Sequence, residues 1–345
     1  MDKRIGKRVK TNRISVVQNL SLDAYFEQFM YAKTAEGRAK RTLEQYRMNY
    51  EFFVKYLDLR GVERQVQQMT TELIRGYIVW MLHEKVRFEG HQYVPESEKR
   101  VGLSPVTINT RLKTLRVFFR FLMGENVIEN DPTESIKNVT EDEEEIRILT
   151  VEQLRKLLDA PNQRTYSQFR DYVLMNMLLD TFVRINEALS LKVSDIDFEL
   201  GLINIRGEVA KSRKSRMIPM QKRTANLLHE LIEESKEFDS EFVFLANYGE
   251  CLEASHFRHR LKEYSSRAGL SVRVHPHLFR HTGATMFLEA GGDLRHLQMI
   301  LGHRDLRMVM RYTHLSKNSL KKQHEQYSPL NEVVGKLQRE RKIMR

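Results

Sequence analysis

Residues Glu141-Asp142-Glu143-Glu144-Glu145 set five carboxylates side by side, and no packed core accepts such a run, because the charges repel one another and cannot all find partners. The run is therefore read as the centre of an interdomain linker at residues 138–147, and it divides the 345-residue chain into two parts, each of ordinary domain size. Both parts have the apolar material for a core, since hydrophobic residues make up 41% of the chain, which excludes wholesale disorder. A single cysteine, Cys251, excludes a disulfide framework and fits a reducing compartment. No apolar run approaches the ~18 residues of a membrane span. The opening MDKRIGKRVKTNR has no apolar stretch behind its charges and is not a secretory signal. The expectation is a cytoplasmic protein without a membrane partner. Lys and Arg exceed Asp and Glu by 57 to 46, a net charge of +11. That excess suits a polyanion, whose counterions are released on binding, as well as it suits a merely soluble protein.

The first part reads as a basic arm over residues 1–18 followed by an all-helical domain over 19–137. Leu43, Tyr46, Tyr50, Phe53 and Leu57 recur every three or four residues, one face of a helix. Ser104-Pro105 is a helix start, with Ser as cap and Pro at the first helical position. Behind it Leu112, Leu115, Phe119 and Leu122 share a face, and Asn109, Arg111, Lys113 and Arg120 are expected on the outside. The charged stretch Glu84–Leu103, with Gly90, Pro95 and Gly102, reads as a long loop.

The second part opens on Thr150-Val-Glu-Gln153, a capping box. Helices through Val173–Leu179 and Ile185–Leu191 follow. Leu202–Ile205 and Met217-Ile218 alternate around the polar loop Gly207–Ser215 and read as a β-hairpin, with Val243-Phe-Leu245 a candidate third strand. The chain is then helical to its end, punctuated by Gly291-Gly292 and Gly302.

Reactive side chains concentrate at four places here. Arg184 sits among leucines, where a guanidinium needs a partner; Glu187, three residues on, offers a plain i,i+3 ion pair. Lys211-Ser-Arg-Lys-Ser-Arg-Met-Ile-Pro219 puts a cationic tip on the hairpin, and a lysine pressed against phosphate can act as a general acid. His277 and Arg280 lie three apart on a helix, where an imidazole and a forked guanidinium converge on one point. His277 and His281 lack the intervening Glu of the zinc-helix pattern. Finally, Leu301-Gly-His303 is followed nine residues later by Tyr312. Each feature alone has an ordinary structural explanation.

In order and spacing, Arg184, Lys211, His277-x-x-Arg280, Leu-Gly-His303 and Tyr312 together resemble the catalytic set of the tyrosine recombinases, or phage integrases. The likeness covers about residues 148–320. It reaches into the first part, where Arg111–Leu122 looks like the last helices of that family's core-binding domain. Phe182 stands where the family commonly has Gly, and the hairpin loop is longer than its commonest form. Lys211 is assigned because Lys211 to Pro219 reproduces the family spacing, with Lys214 as the alternative. The resemblance implies a mainly α fold: an all-α, SAM-like core-binding domain joined to an α+β catalytic domain at 148–325 with a small antiparallel sheet. The tail at 326–345 would be an exchange segment between protomers.

The chemistry that this implies is strand cleavage by Tyr312, giving a 3′-phosphotyrosyl link and a free 5′-hydroxyl, with no cofactor, metal or ATP. Arg184 and Arg280 would clamp the non-bridging oxygens, Lys211 would protonate the departing oxygen, and His277 and His303 would bond the phosphate. Candidate DNA contacts are Thr42, Thr107, Asn109, Arg111, Lys113 and Lys214. The implied partners are double-stranded DNA with paired inverted-repeat sites, three further copies in a tetramer passing through a Holliday junction, and accessory DNA-bending proteins, in a nucleoid-associated setting. The long loop, basic arm and extended tail point to integration, excision or transposition of a mobile element. The alternatives are Xer-type dimer resolution, a DNA-binding regulator with the same fold but no chemistry, and a site-independent type IB topoisomerase.

Overall fold

The computed structural model describes residues 20–90, 92–141, 148–210, 213–303, 305–310, 312, 321 and 324–333. The basic arm, the acidic run beyond Glu141, Lys211 and most of the tail lie outside them. The chain divides into two compact units, residues 1–144 and 145–345. No helix among the described residues is long and apolar enough to cross a membrane.

The first unit is helical, with α1 (Leu22–Ala35), α2 (Lys40–Leu59), α3 (Thr71–His83) and α4 (Pro105–Gly124). Ser21, Thr70 and Ser104 each accept a backbone N–H of the first turn that follows them, in α1, α3 and α4, satisfying donors that have no partner within the helix. The faces read from the sequence are the packed ones. Tyr50, Phe53 and Leu57 of α2 and Leu112, Leu115, Phe119 and Leu122 of α4 are buried, with Leu43 and Tyr46 at the rim of the same core. Aromatic rings dominate that core: Phe26 stacks on Tyr50 at 3.7 Å between centroids, and Phe118 meets both edge-on. The described residues of 84–103 are irregular apart from one bridge, Val86 to Val101, and a single 3-10 turn at Glu96–Glu98. The residues read as the start of the linker are tied to α4. The Asn109 amide donates to the Val139 carbonyl and accepts from its N–H, both at 2.9 Å, and Arg116 donates to Asn138 and to the Ile136 carbonyl.

The second unit is built on α6 (Tyr166–Thr181), which is buried over most of its length and packs against α8 (Lys222–Glu234) and α10 (Pro276–Glu289). Before it, α5 (Val151–Asp159) opens on the expected capping box, with Thr150 and Gln153 bonded reciprocally. After it come α7 (Ile185–Leu189) and a three-stranded antiparallel sheet, β1 (Ile196–Asp197), β2 (Leu202–Ile205) and β3 (Arg216–Pro219), in that order. The hairpin is as read. The third strand is not: Val243–Leu245 stays outside the sheet, and β1 fills that place. The Val243 N–H donates instead to the Leu191 carbonyl, and the Phe244 carbonyl accepts from the Leu252 N–H. A buried network fixes α9 (Ala254–Arg267) to α6. Tyr264 donates to Asp171 at 2.8 Å, and Asp171 also accepts from Arg170 and Arg260. Leu294–Leu301 (α11) ends on Gly302 in the left-handed conformation, φ 63°, and Arg307–Met310 (α12) leads to Tyr312.

Candidate active site

Four chain segments deliver the polar side chains around α10, and Tyr312, beyond α12, adds a fifth. The turn between α6 and α7 presents Arg184, β3 presents Arg216, α10 presents His277, Arg280 and His281, and the end of α11 presents His303. At the first of these, Phe182 closes α6 in the left-handed conformation, φ 54°, which reverses the chain and aims the Phe182 carbonyl at α10. Arg280 is 4% exposed. Its guanidinium donates to the carbonyls of Phe182 at 2.5 Å and Leu301 at 2.7 Å, and it reaches His303 Nε2 at 3.1 Å. With the guanidinium as donor there, the His303 ring accepts at Nε2. One side chain thus joins the ends of α6 and α11.

Arg184 is held by Glu187, whose carboxylate accepts from the Arg184 backbone N–H at 3.0 Å and from Nη1 at 2.9 Å. The i,i+3 pair expected from the sequence is present, and a third element shares it. Arg216 donates to the same carboxylate at 2.7 and 3.3 Å and to the Ile300 carbonyl at 3.0 Å. Burial alone would raise the Glu187 carboxyl, but the bond and charge of Arg216 and those of Arg184 outweigh it and hold it below its ordinary value. Two guanidinium groups thus share one buried carboxylate. Burial, and then the like charge of Arg184, push Arg280 down to about 10, so it stays protonated at neutral pH while its partners are neutral groups. An anion placed there would offset the like-charge repulsion between Arg280 and Arg184. His277 stands at the accessible edge. Desolvation on its protein side, then His275, Arg280 and Arg184, lower its proton affinity, favouring the neutral ring.

Tyr312 is 3% exposed and packs with Phe182, Ala284, Leu288, Leu297, Leu301 and Val309. Its hydroxyl lies 3.1 Å from His281 Nδ1. The structure therefore gathers Arg184, His277, Arg280, His303 and Tyr312 around the N-terminal half of α10. Lys211 lies outside the described residues; Lys214 is exposed in the connection before β3.

The model of the phage integrase family matches residues 147–319, half of the chain, and that of the phage integrase N-terminal SAM-like domain matches residues 26–126. The chain belongs to the tyrosine recombinase family. Members are site-specific DNA recombinases, so this is an enzyme that acts on DNA. Among curated relatives, it is 28% identical over 310 residues to tyrosine recombinase XerD of Listeria monocytogenes, covering 88% of this chain and 98% of that one. It is 29% identical over 316 residues to XerC of Oceanobacillus iheyensis, covering 89% and 97%. Over 229 residues it is 34% identical to XerC of Chlamydia trachomatis, covering 65% and 72%. A solved Tn1549 transposon integrase in complex with circular intermediate DNA shares the fold at 22% identity, with a TM-score of 0.67 over 88% of this chain and 98% of that one. So does a XerH recombinase bound to a palindromic substrate, at 21% identity and a TM-score of 0.66 over 87% and 83%.

Of the DNA-contact candidates in the recombinase, Lys113 is exposed and Thr42 and Thr107 are half-buried, the Thr107 hydroxyl 2.9 Å from Ser104 Oγ. The outward basic face expected on α4 fails at two positions. Asn109 is turned to Val139 and Glu141. Arg111 lies 3.5 Å over the Phe52 ring with Nη1 near Asn49, and burial lowers its pKa. An amide that matches a backbone donor–acceptor pair and a guanidinium that finds an aromatic face are both drawn inward.

Sequence reasoning gave no site role to Arg216, His281 or the Phe182 turn. A signal existed for Arg216: it lies two residues before buried Ile218, hence on the same face of its strand. His281 was weighed only as a metal partner of His277, and Tyr312, its actual neighbour, is too far along the chain for local spacing to reveal.

Proposed function

We propose that this recombinase breaks and rejoins DNA through Tyr312, with Arg184 and Arg280 clamping the non-bridging oxygens of the scissile phosphate. The observation that carries the reading is the placement of α10: His277 and Arg280 border a site of net positive charge, where Arg184, Arg216 and Arg280 stand against the single carboxylate of Glu187, and the next residue, His281, contacts the Tyr312 hydroxyl. In-line attack by the phenol oxygen, whose proton passes to a neutral imidazole, His277 or His303, forms the Tyr–phosphate bond and breaks the bond to the 5′ oxygen, which leaves as a hydroxyl on taking a proton from Lys211, or from Lys214 in its place. Charge gathers on the non-bridging oxygens, and Arg184, Arg280, His277 and His303 meet it with donors fixed in advance. The covalent link preserves the energy of the broken bond, so rejoining needs no ATP.

In the same reading residues 1–18 are a phosphate-tracking arm, 19–137 the core-binding domain, 138–147 the linker, 148–325 the catalytic domain and 326–345 a segment exchanged within a tetramer. Thr42, Thr107, Lys113 and Lys214 contact the duplex, while Asn109 and Arg111 shape the surface beside them. The long 84–103 segment, the arm and the tail favour a mobile-element integrase or transposon recombinase. The Xer names of relatives matched over nearly their whole length favour Xer-type resolution as the second reading.

The test uses the purified chain and a pool of nicked duplexes whose arms are inverted repeats of randomised sequence, analysed on denaturing gels. Native protein should form a covalent adduct whose DNA, once sequenced, gives the site, and Tyr312→Phe should form none. Native protein that binds the pool and never becomes covalently attached would overturn the proposal. With the site known, intermolecular joining into a second DNA supports the mobile-element role. Resolution of directly repeated sites alone supports the second.

A further inference from the structure

We propose that His281 is a positioning residue for the nucleophile, fixing the Tyr312 hydroxyl relative to Arg280 on the same helix; this rests on the reading of Tyr312 given above. Tyr312 follows a short helix, and its backbone N–H donates to the Val309 carbonyl at 2.9 Å. That helix, α12 (Arg307–Met310), buries Val309. The apolar cluster that receives the ring holds it by burial, which is non-directional and does not by itself aim the hydroxyl. What fixes the oxygen is the polar contact from Tyr312 Oη to His281 Nδ1 at 3.1 Å, made between rings tilted by 42° with centroids 5.5 Å apart.

His281 is well placed to set that position. Helix α10 runs for 14 residues with Pro276, Leu278, Phe279, Arg280, Thr282, Gly283, Ala284, Thr285 and Leu288 buried, so it moves as a rigid rod. Successive residues on a helix diverge by about 100°. Arg280 therefore reaches toward the ends of α6 and α11 while His281 reaches Tyr312. The phosphate clamp and the anchor of the nucleophile are thus one residue apart on the stiffest element of the site. When the neutral ring accepts at Nδ1, the phenol is the donor, and its oxygen lone pairs remain free to face phosphorus. A misplacement of about 1 Å at such a contact is enough to cost about 10²-fold in rate.

Two substitutions of similar polarity test this. In His281→Asn the side-chain amide can occupy the position of Nδ1; in His281→Gln the amide lies one bond further out, where Nε2 was. On a nicked duplex selected as above, at saturating protein, His281→Asn should form adduct within about tenfold of the native maximal rate and His281→Gln about 10²-fold more slowly than native. The protein concentration for half-maximal rate and the melting temperature should match in the two variants. Equal maximal rates for Asn and Gln would overturn the proposal, because a packing role does not distinguish where the amide sits. Tyr312→Phe, run alongside, separates the two ideas. Adduct from that variant would remove the parent reading and this inference with it, whereas a silent Tyr312→Phe with equal Asn and Gln rates removes the inference alone.

Discussion

Replacing Glu187 with leucine should destabilise the second unit more than any single charge change at its surface. The carboxylate is 1% exposed and pairs with Arg184 at 2.9 Å and Arg216 at 2.7 Å, whose side chains are 19% and 10% exposed. Arg184 can turn toward solvent when released. Arg216 is held in place by the Ile300 carbonyl and would be left as a buried charge. The appropriate magnitude is therefore that of one broken buried pair, about 3–5 kcal/mol, rather than two. The unit runs from Glu145 to Arg345, and for a unit of about 200 residues each kcal/mol lowers the melting temperature by roughly 2–4 °C, so its transition should fall by roughly 6–20 °C. Adding Arg216→Met should recover part of the loss, since an apolar replacement of both partners is often neutral. Calorimetry of native, Glu187→Leu and the double variant checks both statements. A single variant that melts within about 2 °C of native, or a double variant no more stable than the single, refutes the reasoning. The pH dependence has a definite sign. The folded-state pKa of Glu187 lies below its ordinary value, so its stabilisation is present above the unfolded carboxylate range, near ~4.3, and is lost as pH falls through the folded value. The gap between native and Glu187→Gln should accordingly close in acid.

Two further outcomes follow from the same geometry. Arg280→Lys keeps the charge but cannot reproduce a planar fork that serves the Phe182 carbonyl, the Leu301 carbonyl and His303 together; single-turnover adduct formation should drop by about 10²-fold or more, comparable to a lost oxyanion donor, and a near-native rate would show that charge alone suffices. Phe182→Ala retains the left-handed backbone strain while losing the ring, whereas Phe182→Gly loses both; urea unfolding should place the Gly variant about 1–2 kcal/mol above the Ala variant, and the reverse order would mean that the turn carries no strain.

Arg184, His277, Arg280, His303 and Tyr312, which the structure gathers, could be picked out of the sequence because the tyrosine recombinase pattern is a long, ordered series of residue types. The helical faces were legible because burial follows the 3.6-residue period at Tyr50, Phe53 and Leu57 and again at Leu112, Leu115 and Phe119. Local spacing carries no record of side chains that meet across the chain. Glu187 is visible as a neighbour of Arg184, but its bond to Arg216 spans 29 residues and that of Tyr312 to His281 spans 31. The failure on α4 has the same origin. Periodicity says which residues leave the core, and it cannot say that Asn109 will find the backbone of Val139 or that Arg111 will find the face of Phe52. The missed strand arose because a short apolar run such as Val243–Leu245 is compatible with either a strand or a buried irregular segment, and the partners offered by Leu191 and Leu252 decided between them.

Phe182 shows how a local rule can be broken without loss of the site. A bulky residue at φ 54° is disfavoured by about 1–2 kcal/mol, and glycine would meet that backbone demand without strain. The ring offsets the cost by what it covers: it is 7% exposed, packs with Tyr312 and Leu301 and meets Phe287 edge-on at 6.1 Å, and burying a side chain of that size contributes about 1.5–3 kcal/mol. The arrangement places a demand on α10. A Cβ at Gly283 would lie 2.5 Å from the Phe182 ring and 2.8 Å from the Leu179 carbonyl, so the helix that carries Arg280 and His281 approaches the α6 turn this closely only because residue 283 has no side chain. The turn whose carbonyl receives Arg280 and the ring that borders Tyr312 belong to one residue. The strain at Phe182 thus ties Arg280 to the pocket of Tyr312, a coupling that glycine at the same position would leave to other side chains.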